Sequence, residues 1–192
     1  MVKNKTTLLE LKTELEVIKE GENVLEQKRD ALIKEIMKMV DIVDTRRKKL
    51  NEHMRSCYNV LIKAFMENGG KIEKEDFVKT ELKVVEKTFL GLVVPKIDFK
   101  ISSKPNIKID SNIFTDLARE NFFEALKMIL ELSEMEIKIW KLSEELKKTM
   151  IRVNALKFYY TPKYEKEIKE IKNHLEENER EFISIIKKLK NY

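Results

Sequence analysis

The chain has 192 residues, of which 38% are charged and 42% hydrophobic, and it contains only four glycines and three prolines. This composition favours long exposed helices over a loop-rich or all-β fold. No apolar run approaches the ~20 residues of a membrane-spanning helix. The single cysteine, Cys57, cannot form an internal disulfide, which indicates a reducing compartment. Since the start of the chain also lacks a signal-peptide pattern, we expect a soluble cytoplasmic protein.

The first predicted element is one uninterrupted helix over residues 8–64. Positions spaced alternately by three and four residues are apolar at thirteen of seventeen places. We call such a line of positions the seam of a helix, because it packs against a partner helix in a coiled coil. The seam positions are Leu8, Leu11, Leu15, Ile18, Glu22, Leu25, Arg29, Leu32, Ile36, Met39, Val43, Arg46, Leu50, His53, Cys57, Val60 and Ala64. A helix of this length is unstable alone, so the seam needs a partner.

The middle of the chain, residues 67–112, holds two of the three prolines and three of the four glycines. Residues 81–86, 97–101 and 107–109 alternate in polarity or are β-branched, which predicts short strands and a hairpin. A short helix is predicted between residues 70 and 80.

A second long helix is predicted from about Asn112, with Ser111 or Asn112 as its N-cap. Its expected seam is Phe122, Ala125, Ile129, Leu132, Glu136, Ile139, Ser143, Leu146, Met150, Val153, Lys157, Tyr160, Tyr164, Ile168, Ile171, Leu175, Asn178, Phe182, Ile185, Leu189 and Tyr192. Two long helices around a short insertion predict a mainly α fold, an antiparallel two-helix coiled coil. The expected parts are residues 1–66, the insertion 67–112 and residues 113–192. Both termini would then lie at one end of the coil and the insertion at the other.

The seam of the second helix is interrupted around Pro162. The seam positions 157, 160, 164 and 168 are separated by three, four and four residues. This departure from the alternation of three and four is a stutter, which locally unwinds a left-handed supercoil. Proline also removes a backbone donor and clashes with the preceding turn. We therefore expect a bent or underwound helix near Phe158 and Pro162.

The interruption has a counterpart in the first helix. If Ala64 lies opposite approximately Phe122 in the antiparallel coil, then Arg29 lies opposite Lys157, to within several residues along the helix. In one interpretation the polar residues only specify helix register. In the other, the defect lets the coil flex, or presents Asp30, Arg152 and Asn154 to a partner.

Residues for catalysis are not evident. The run Gly69-Gly70-Lys71 lacks the spacing of a phosphate-binding loop, and neither His53 nor His174 has a second ligand at zinc spacing. The acidic run around Glu176 predicts an exposed helix face. We therefore predict a protein that is not an enzyme and has no catalytic, cofactor or metal site.

Three segments resemble the signatures of the D subunits of A-type and V-type rotary ATPases. The first helix carries an L-x-x-K-R-D run, and the second helix carries R-V-N-A-L, a proline and L-E-E-x-E-R-E. In the insertion, residues 90–95 look like the family's G-V-x-x-P segment, with Leu92 in place of its valine. The matching residues are 25–30, 90–95, 152–156, Pro162 and 175–182. Lys157 departs from the pattern, since the family usually has an acid there.

This resemblance implies a noncatalytic central-stalk rotor subunit of an H⁺- or Na⁺-transporting ATP synthase or ATPase. The implied partners are the A and B subunits of the catalytic ring, the F subunit and the C (or d) subunit, with no nucleotide, nucleic acid or membrane insertion. The implied location is peripheral, on the cytoplasmic side of the membrane. The ring-facing candidates are Arg29, Asp30, Arg152, Asn154, Pro162, Glu176, Glu177, Glu179 and Arg180. The candidates that face F or C are Leu82, Val84, Gly91, Pro95 and Ile97.

Two other functions fit the residue patterns without the resemblance. A coiled-coil adaptor with no rotary role would form homodimers through its seams. A helical hairpin that binds nucleic acid would use the basic C-terminal arm, where twelve Lys and Arg outnumber seven acidic residues from residue 147 onward. Its binding would depend strongly on salt.

Overall fold

The computed structural model describes residues 4–70, 78–103 and 113–190. They form a mainly α-helical chain with a two-stranded antiparallel sheet between its long helices, which confirms the predicted fold class. The elements are α1 (Lys5–Glu67), β1 (Lys79–Phe89), β2 (Leu92–Ser103), α2 (Ile113–Ala155), a π-helical segment (Leu156–Tyr160) and α3 (Thr161–Lys190). None of the helices in these described ranges is long and apolar enough to cross a membrane.

Local sequence determines where α1 begins and ends. The side chain of Asn4 accepts a hydrogen bond from the N–H of Thr7 at 2.7 Å and so caps the first turn. At the other end, Gly69 and Gly70 take φ values of 62° and 80°, and the N–H of Gly70 donates to the carbonyl of Phe65. This left-handed ending favours glycine and stops the helix. The predicted seam of α1 is buried or half-buried at every position except Arg46.

Two compact units divide the chain, and each contains an antiparallel helix pair. The first unit, Met1–Ile33 with Glu145–Tyr192, pairs the start of α1 with α3. Its apolar cluster consists of Leu11, Ile168 and Ile171, with Leu8, Leu15, Tyr164 and Leu175 packed against it.

The second unit, Lys34–Glu144, pairs the rest of α1 with α2 and contains the hairpin. Arg46 and Glu131 lie 3.0 Å apart in this unit, and the rings of Tyr58 and Phe122 meet edge to face at 5.8 Å. The two helices are therefore antiparallel, because the later residue of α1, Tyr58, contacts the earlier residue of α2, Phe122.

One of the two lines of positions in the seam predicted for the second helix is wrong by one residue in its middle part. The other line is buried or half-buried as predicted, at Ala125, Leu132, Ile139, Leu146 and Val153. Ser143 and Met150 are exposed, whereas Leu142 and Thr149 are fully buried. The observed seam keeps strict steps of seven along Met128, Met135, Leu142, Thr149 and Leu156, all of them buried or half-buried. The prediction erred because it extended the seam backwards through Tyr160 and Lys157 as a four-residue stutter. The irregularity is instead one extra residue, and the π-helical segment contains it.

The predicted hairpin is confirmed, and its strands are longer than expected. Leu90 and Gly91 connect the strands with φ values of 50° and 77°. A two-residue turn with both φ values positive matches the twist of the flanking strands. The register pairs Phe89 with Leu92, Val84 with Ile97 and Leu82 with Phe99. Two predicted features lie outside the described residues, namely the third strand at 107–109 and the N-cap at Ser111 or Asn112. The helix predicted within residues 70–80 lies mostly outside them.

Candidate functional site: the π-helical segment, the end of α3 and the hairpin

The π-helical segment lies directly before Pro162. The backbone N–H of Thr161 donates to the carbonyl of Leu156, five residues earlier. Pro162 has no N–H, and its ring would clash with the carbonyl of Phe158 in a regular helix. A π-turn displaces the carbonyls of that turn and relieves the clash. The predicted underwinding near this proline is therefore present.

One extra residue in the seam accompanies this segment. The seam residue Leu156 is followed by Tyr164, eight positions later, and Val153 by Thr161, also eight positions later. Before and after the π-helical segment, equivalent seam positions are seven residues apart. A wider turn accommodates the additional residue, so buried positions stay aligned with α1 before and after it.

The added width leaves large side chains in solvent. The exposed fractions of Phe158, Tyr159 and Tyr160 are 73%, 60% and 42%, and the Lys163 ammonium lies 5.9 Å from the Tyr159 ring centroid. Arg152 and Asn154, just before the segment, are exposed as well, while Val153 between them is buried. Of the signature residues in this part of the chain, Arg152 and Asn154 are thus available to a partner.

A cluster of charges on α1 faces the π-helical segment. The Lys157 ammonium lies 3.2 Å from Glu26 and 3.9 Å from Glu22. Arg29 contacts Glu26 at 3.7 Å and hydrogen-bonds Asp30 at 2.9 Å, which raises the pKa of its guanidinium. The structure therefore brings Lys157 to within one helical turn of Arg29. Lys157 thus contacts two acids across the helix pair.

Two more polar contacts join α1 to the second helix in this unit. Lys28 donates to Glu145 at 2.5 Å, and this bond lowers the pKa of the Glu145 carboxyl. The hydroxyl of Tyr164 bonds to Glu14, which raises the pKa of the phenol. Neither contact was expected from the sequence, because each pairs residues far apart along the chain. The buried hydroxyl of Thr149 has no hydrogen-bond partner among the described residues.

The end of α3 differs from its predicted role in the seam. Phe182, Ile185 and Leu189 are 64%, 56% and 71% exposed, and Ile183 and Ile186 are also exposed. The reason is the length of α1, which begins at Lys5; its ammonium lies 3.4 Å from Glu179. Beyond Glu179 no described residue of α1 is left to pair with α3. We call residues 182–189 the apolar end of α3.

The predicted acidic signature lies just before this apolar end. Glu176, Glu177, Glu179 and Arg180 are all exposed. Arg180 pairs with Glu176 on the same helix at 3.8 Å. Such exposed ion pairs contribute only ~0 to 1 kcal/mol and exchange partners readily.

The hairpin has an apolar face and a charged face. The strand alternation and the register place Leu82, Val84, Val93, Pro95, Ile97, Phe99 and Ile101 on one side. This apolar face includes four of the five hairpin residues predicted to contact a partner; Gly91 is in the turn. Leu82 and Val84 are more than half exposed.

In the hairpin, β2 is the strand that lies against α2. Val94 is buried, and the Lys138 ammonium lies 3.3 Å from the centroid of the Phe89 ring. A cleft of about 550 Å³ separates the strands from α2. Its charged lining residues are Glu81, Lys83, Asp98, Lys100, Lys127 and Glu131. Ile97 and Phe99 also line this cleft, so β2 lies against α2 with its edge and with residues of both faces.

The described residues include no group of three or more His, Cys, Asp or Glu side chains that could hold a metal ion. The ring of His53 lies 3.2 Å from the carbonyl of Asn121, and His174 is 3.4 Å from Asn178. Cys57 is buried, and burial raises the pKa of its thiol.

Comparison with known proteins gives one consistent result. The family model for the ATP synthase D subunit matches residues 7–191. The chain is 31% identical over 192 residues to the A-type ATP synthase D subunit of Pyrococcus horikoshii. The proteins of the same name from Thermococcus gammatolerans and Thermococcus kodakarensis are 32% and 33% identical. In all three comparisons the match covers 95% of this chain and 90% of the relative.

Proposed function

The chain belongs to the ATP synthase D-subunit family, and from this premise we propose that it is the central-stalk rotor subunit of an A/V-type ATP synthase or ATPase. In this role it turns within a ring of A and B subunits and transmits torque between that ring and the membrane rotor. It has no catalytic residues of its own. It couples ATP synthesis or hydrolysis to the transport of H⁺ or Na⁺ as a peripheral component on the cytoplasmic side of the membrane.

The observation that carries this proposal is the combination of a paired seam and an unpaired apolar end in the unit that contains both termini. The paired part, with its buried Leu11, Ile168 and Ile171, resists unwinding because turning one helix against the other would expose this cluster. The apolar end of α3 is a single helix, narrower than the pair. Such an end fits a central opening in a ring.

The exposed polar residues suit contacts that must form and break during rotation. Arg152, Asn154, Glu176, Glu177 and Arg180 lie at the surface, as does Asp30. Exposed ion pairs are weak, so they can give each catalytic site a different neighbour at little cost in free energy. We assign these residues, with Arg29, Pro162 and Glu179, to contacts with the ring.

The apolar face of the hairpin is assigned to the F and C subunits. Exposed apolar residues on a sheet face are characteristic of a surface that another protein covers. Leu82, Val84, Pro95 and Ile97 all lie on this face, and Gly91 permits the turn that presents it.

The test is assembly of the purified chain with a preformed ring of A and B subunits, followed by mass measurement and an ATP hydrolysis assay. We expect one copy of the chain per ring and a changed turnover rate. A chain that remains outside the ring and forms homodimers would support the adaptor function. Salt-dependent binding to DNA, with no ring complex, would support the nucleic-acid function instead.

A further inference from the structure

The two edges of the hairpin differ in how their backbone groups are used. In an antiparallel pair, every second residue points its N–H and C=O away from the partner strand. On β2 these residues include Val93, Pro95 and Ile97. Lys141 donates to the carbonyl of Val93 at 2.6 Å, and Glu134 accepts from the N–H of Ile97 at 3.0 Å. Pro95 has no N–H to offer, so the edge of β2 is closed to a further strand along this stretch.

The edge of β1 is open. The residues opposite those of β2 in the register are Thr88, Glu86 and Val84, and the same alternation continues through Leu82 and Thr80. Their outward N–H and C=O groups have no hydrogen-bond partner within the described part of the chain. This free edge runs for most of an 11-residue strand. A long unpaired edge is a template for strand addition, and natural proteins seldom leave one uncovered.

We propose that β1 accepts an additional strand from a stalk partner, which pairs with the outer edge of residues 80–88 in the manner of β-augmentation. This inference rests on the proposed function and states how the hairpin recognises its partner. The added strand extends the two-stranded sheet to three strands, a size that is stable in water where an isolated hairpin is marginal.

The residues of β1 indicate what the added strand contains. On the apolar face its side chains would lie beside Leu82 and Val84, which calls for apolar residues at every second position. On the charged face they would lie beside Lys83 and Lys87. Lys87 is opposite Val94 in the register, and Asp98, opposite Lys83, pairs with Lys96 at 3.4 Å. Glu81 and Val85 also lie on the charged face, and Glu86 lies on the apolar face. The partner strand therefore carries apolar residues beside Leu82 and Val84 and acidic residues beside Lys83 and Lys87.

Residue-resolved amide hydrogen exchange of the full chain, alone and with the purified F or C subunit, tests the pairing directly. We expect the amides of Thr80, Leu82, Val84, Glu86 and Thr88 to become protected on binding. The intervening amides, already bonded to β2, should be protected in both states. Binding without new protection at the five outward amides would overturn the proposal and leave the stalk role intact. If neither subunit binds, the partners assigned under the proposed function fail together with this inference.

A pair of variants separates backbone pairing from side-chain contact. Val84→Pro removes an outward N–H and leaves the bonds between β1 and β2 in place, as Pro95 does on the other strand. Val84→Ala removes a similar amount of side chain but keeps the N–H. We expect the proline variant to bind at least about tenfold more weakly than the alanine variant. Equal affinities in variants with unchanged exchange at the inward amides would overturn the proposal.

The acidic character of the partner strand has its own test. The double variant Lys83→Glu with Lys87→Glu should bind more weakly, and the loss should shrink as salt is added. Unchanged or tighter binding would show that the strand is not acidic. Protection of the outward amides in the chain alone, rising with concentration, would identify a second copy of this chain as the occupant and would also overturn the proposal.

Discussion

The backbone N–H of Thr161 donates its hydrogen bond to the carbonyl of Leu156, five residues earlier, where a regular helix would use the residue four earlier. This single bond accounts for the extra residue in the seam between Leu156 and Tyr164. It also places Lys157 to Tyr160 on a turn whose side chains are all exposed. The consequence is a helix that stays paired with α1 on both sides of an irregular turn.

Deleting Phe158 in a Pro162→Ala background should therefore be tolerated by the fold, because the substitution removes the clash that the proline ring would make in a regular helix. The deletion shortens the step from Leu156 to Tyr164 to seven residues, and a regular helix can then replace the π-turn. We expect the melting temperature, measured by circular dichroism, to stay within a few degrees of wild type. Deleting Ile151, equally exposed but inside a regular heptad, is the matched control. This deletion rotates the preceding or following seam away from α1. It should lower the free energy of unfolding by at least about 3 kcal/mol, which corresponds to a loss of roughly 6–12 °C in Tm. A similar loss for both deletions would contradict the one-residue account.

Replacing Lys157 with Glu tests the contacts of this residue with Glu26 and Glu22. A third acid at this place should destabilise the chain by about 0.5–1 kcal/mol, since Lys157 is half exposed and water screens the charges. The reversed pair, Lys157→Glu with Glu26→Lys, should recover part of that loss in a double-mutant cycle measured by urea unfolding. A coupling energy of zero would show that the ion pair contributes nothing to stability.

Thr149→Val should stabilise the protein. The Thr149 hydroxyl is fully buried and has no hydrogen-bond partner among the described residues, so it carries an uncompensated desolvation cost. Valine has the same shape without the hydroxyl. We expect a gain of about 1–3 kcal/mol, or roughly 2–12 °C in Tm. Thr149→Ser keeps the hydroxyl, loses a methyl group and should be destabilising. A Val variant less stable than wild type would mean that the hydroxyl has a partner in solution.

The bond between Lys28 and Glu145 predicts a contribution to acid stability. The folded-state pKa of Glu145 lies below its ordinary value of 4.5, so the contribution is fully present above that value. It is lost as the pH falls through the lower, folded-state pKa. Glu145→Gln should therefore reduce the free energy of unfolding at about pH 6 and show a weaker loss of stability down to about pH 3. Parallel pH profiles for the two proteins would show that Glu145 titrates normally.

Two substitutions distinguish the paired part of α3 from its apolar end. Leu175→Asp places a charge against the cluster around Ile171 and should cost about 2–4 kcal/mol of stability. Leu189→Asp changes a residue that is 71% exposed and should leave Tm unchanged. If the apolar end enters the ring, the Leu189 variant should instead weaken assembly with the A and B subunits. An equal loss of Tm in both variants would show that α3 is paired as far as Leu189.

Most of the fold follows from local patterns. The seam of α1 was predictable because a helix buries the same face every seven residues, and no proline interrupts it. The hairpin was predictable because its strands are rich in β-branched residues around a Leu-Gly turn. Pro162 identified the place of the helix irregularity, but the predicted kind was wrong. A four-residue stutter continues the seam through Lys157 and Tyr160, whereas the π-turn inserts one residue between Leu156 and Tyr164, and periodicity alone did not distinguish the two.

The sequence by itself thus determined the helices, the hairpin and the family, because these depend on periodicity and on short motifs that are local in the chain. Only the tertiary structure decided which apolar residues are covered. The seam positions Phe182 and Leu189 look like Leu175 in the sequence, yet they are exposed because α1 begins too late to reach them. Likewise, Pro95 marks one closed position on the edge of β2 in the sequence, but only the structure shows that Glu134 and Lys141 bond the rest of this stretch. Burial and edge pairing depend on what lies opposite in space, which the order of residues does not encode locally.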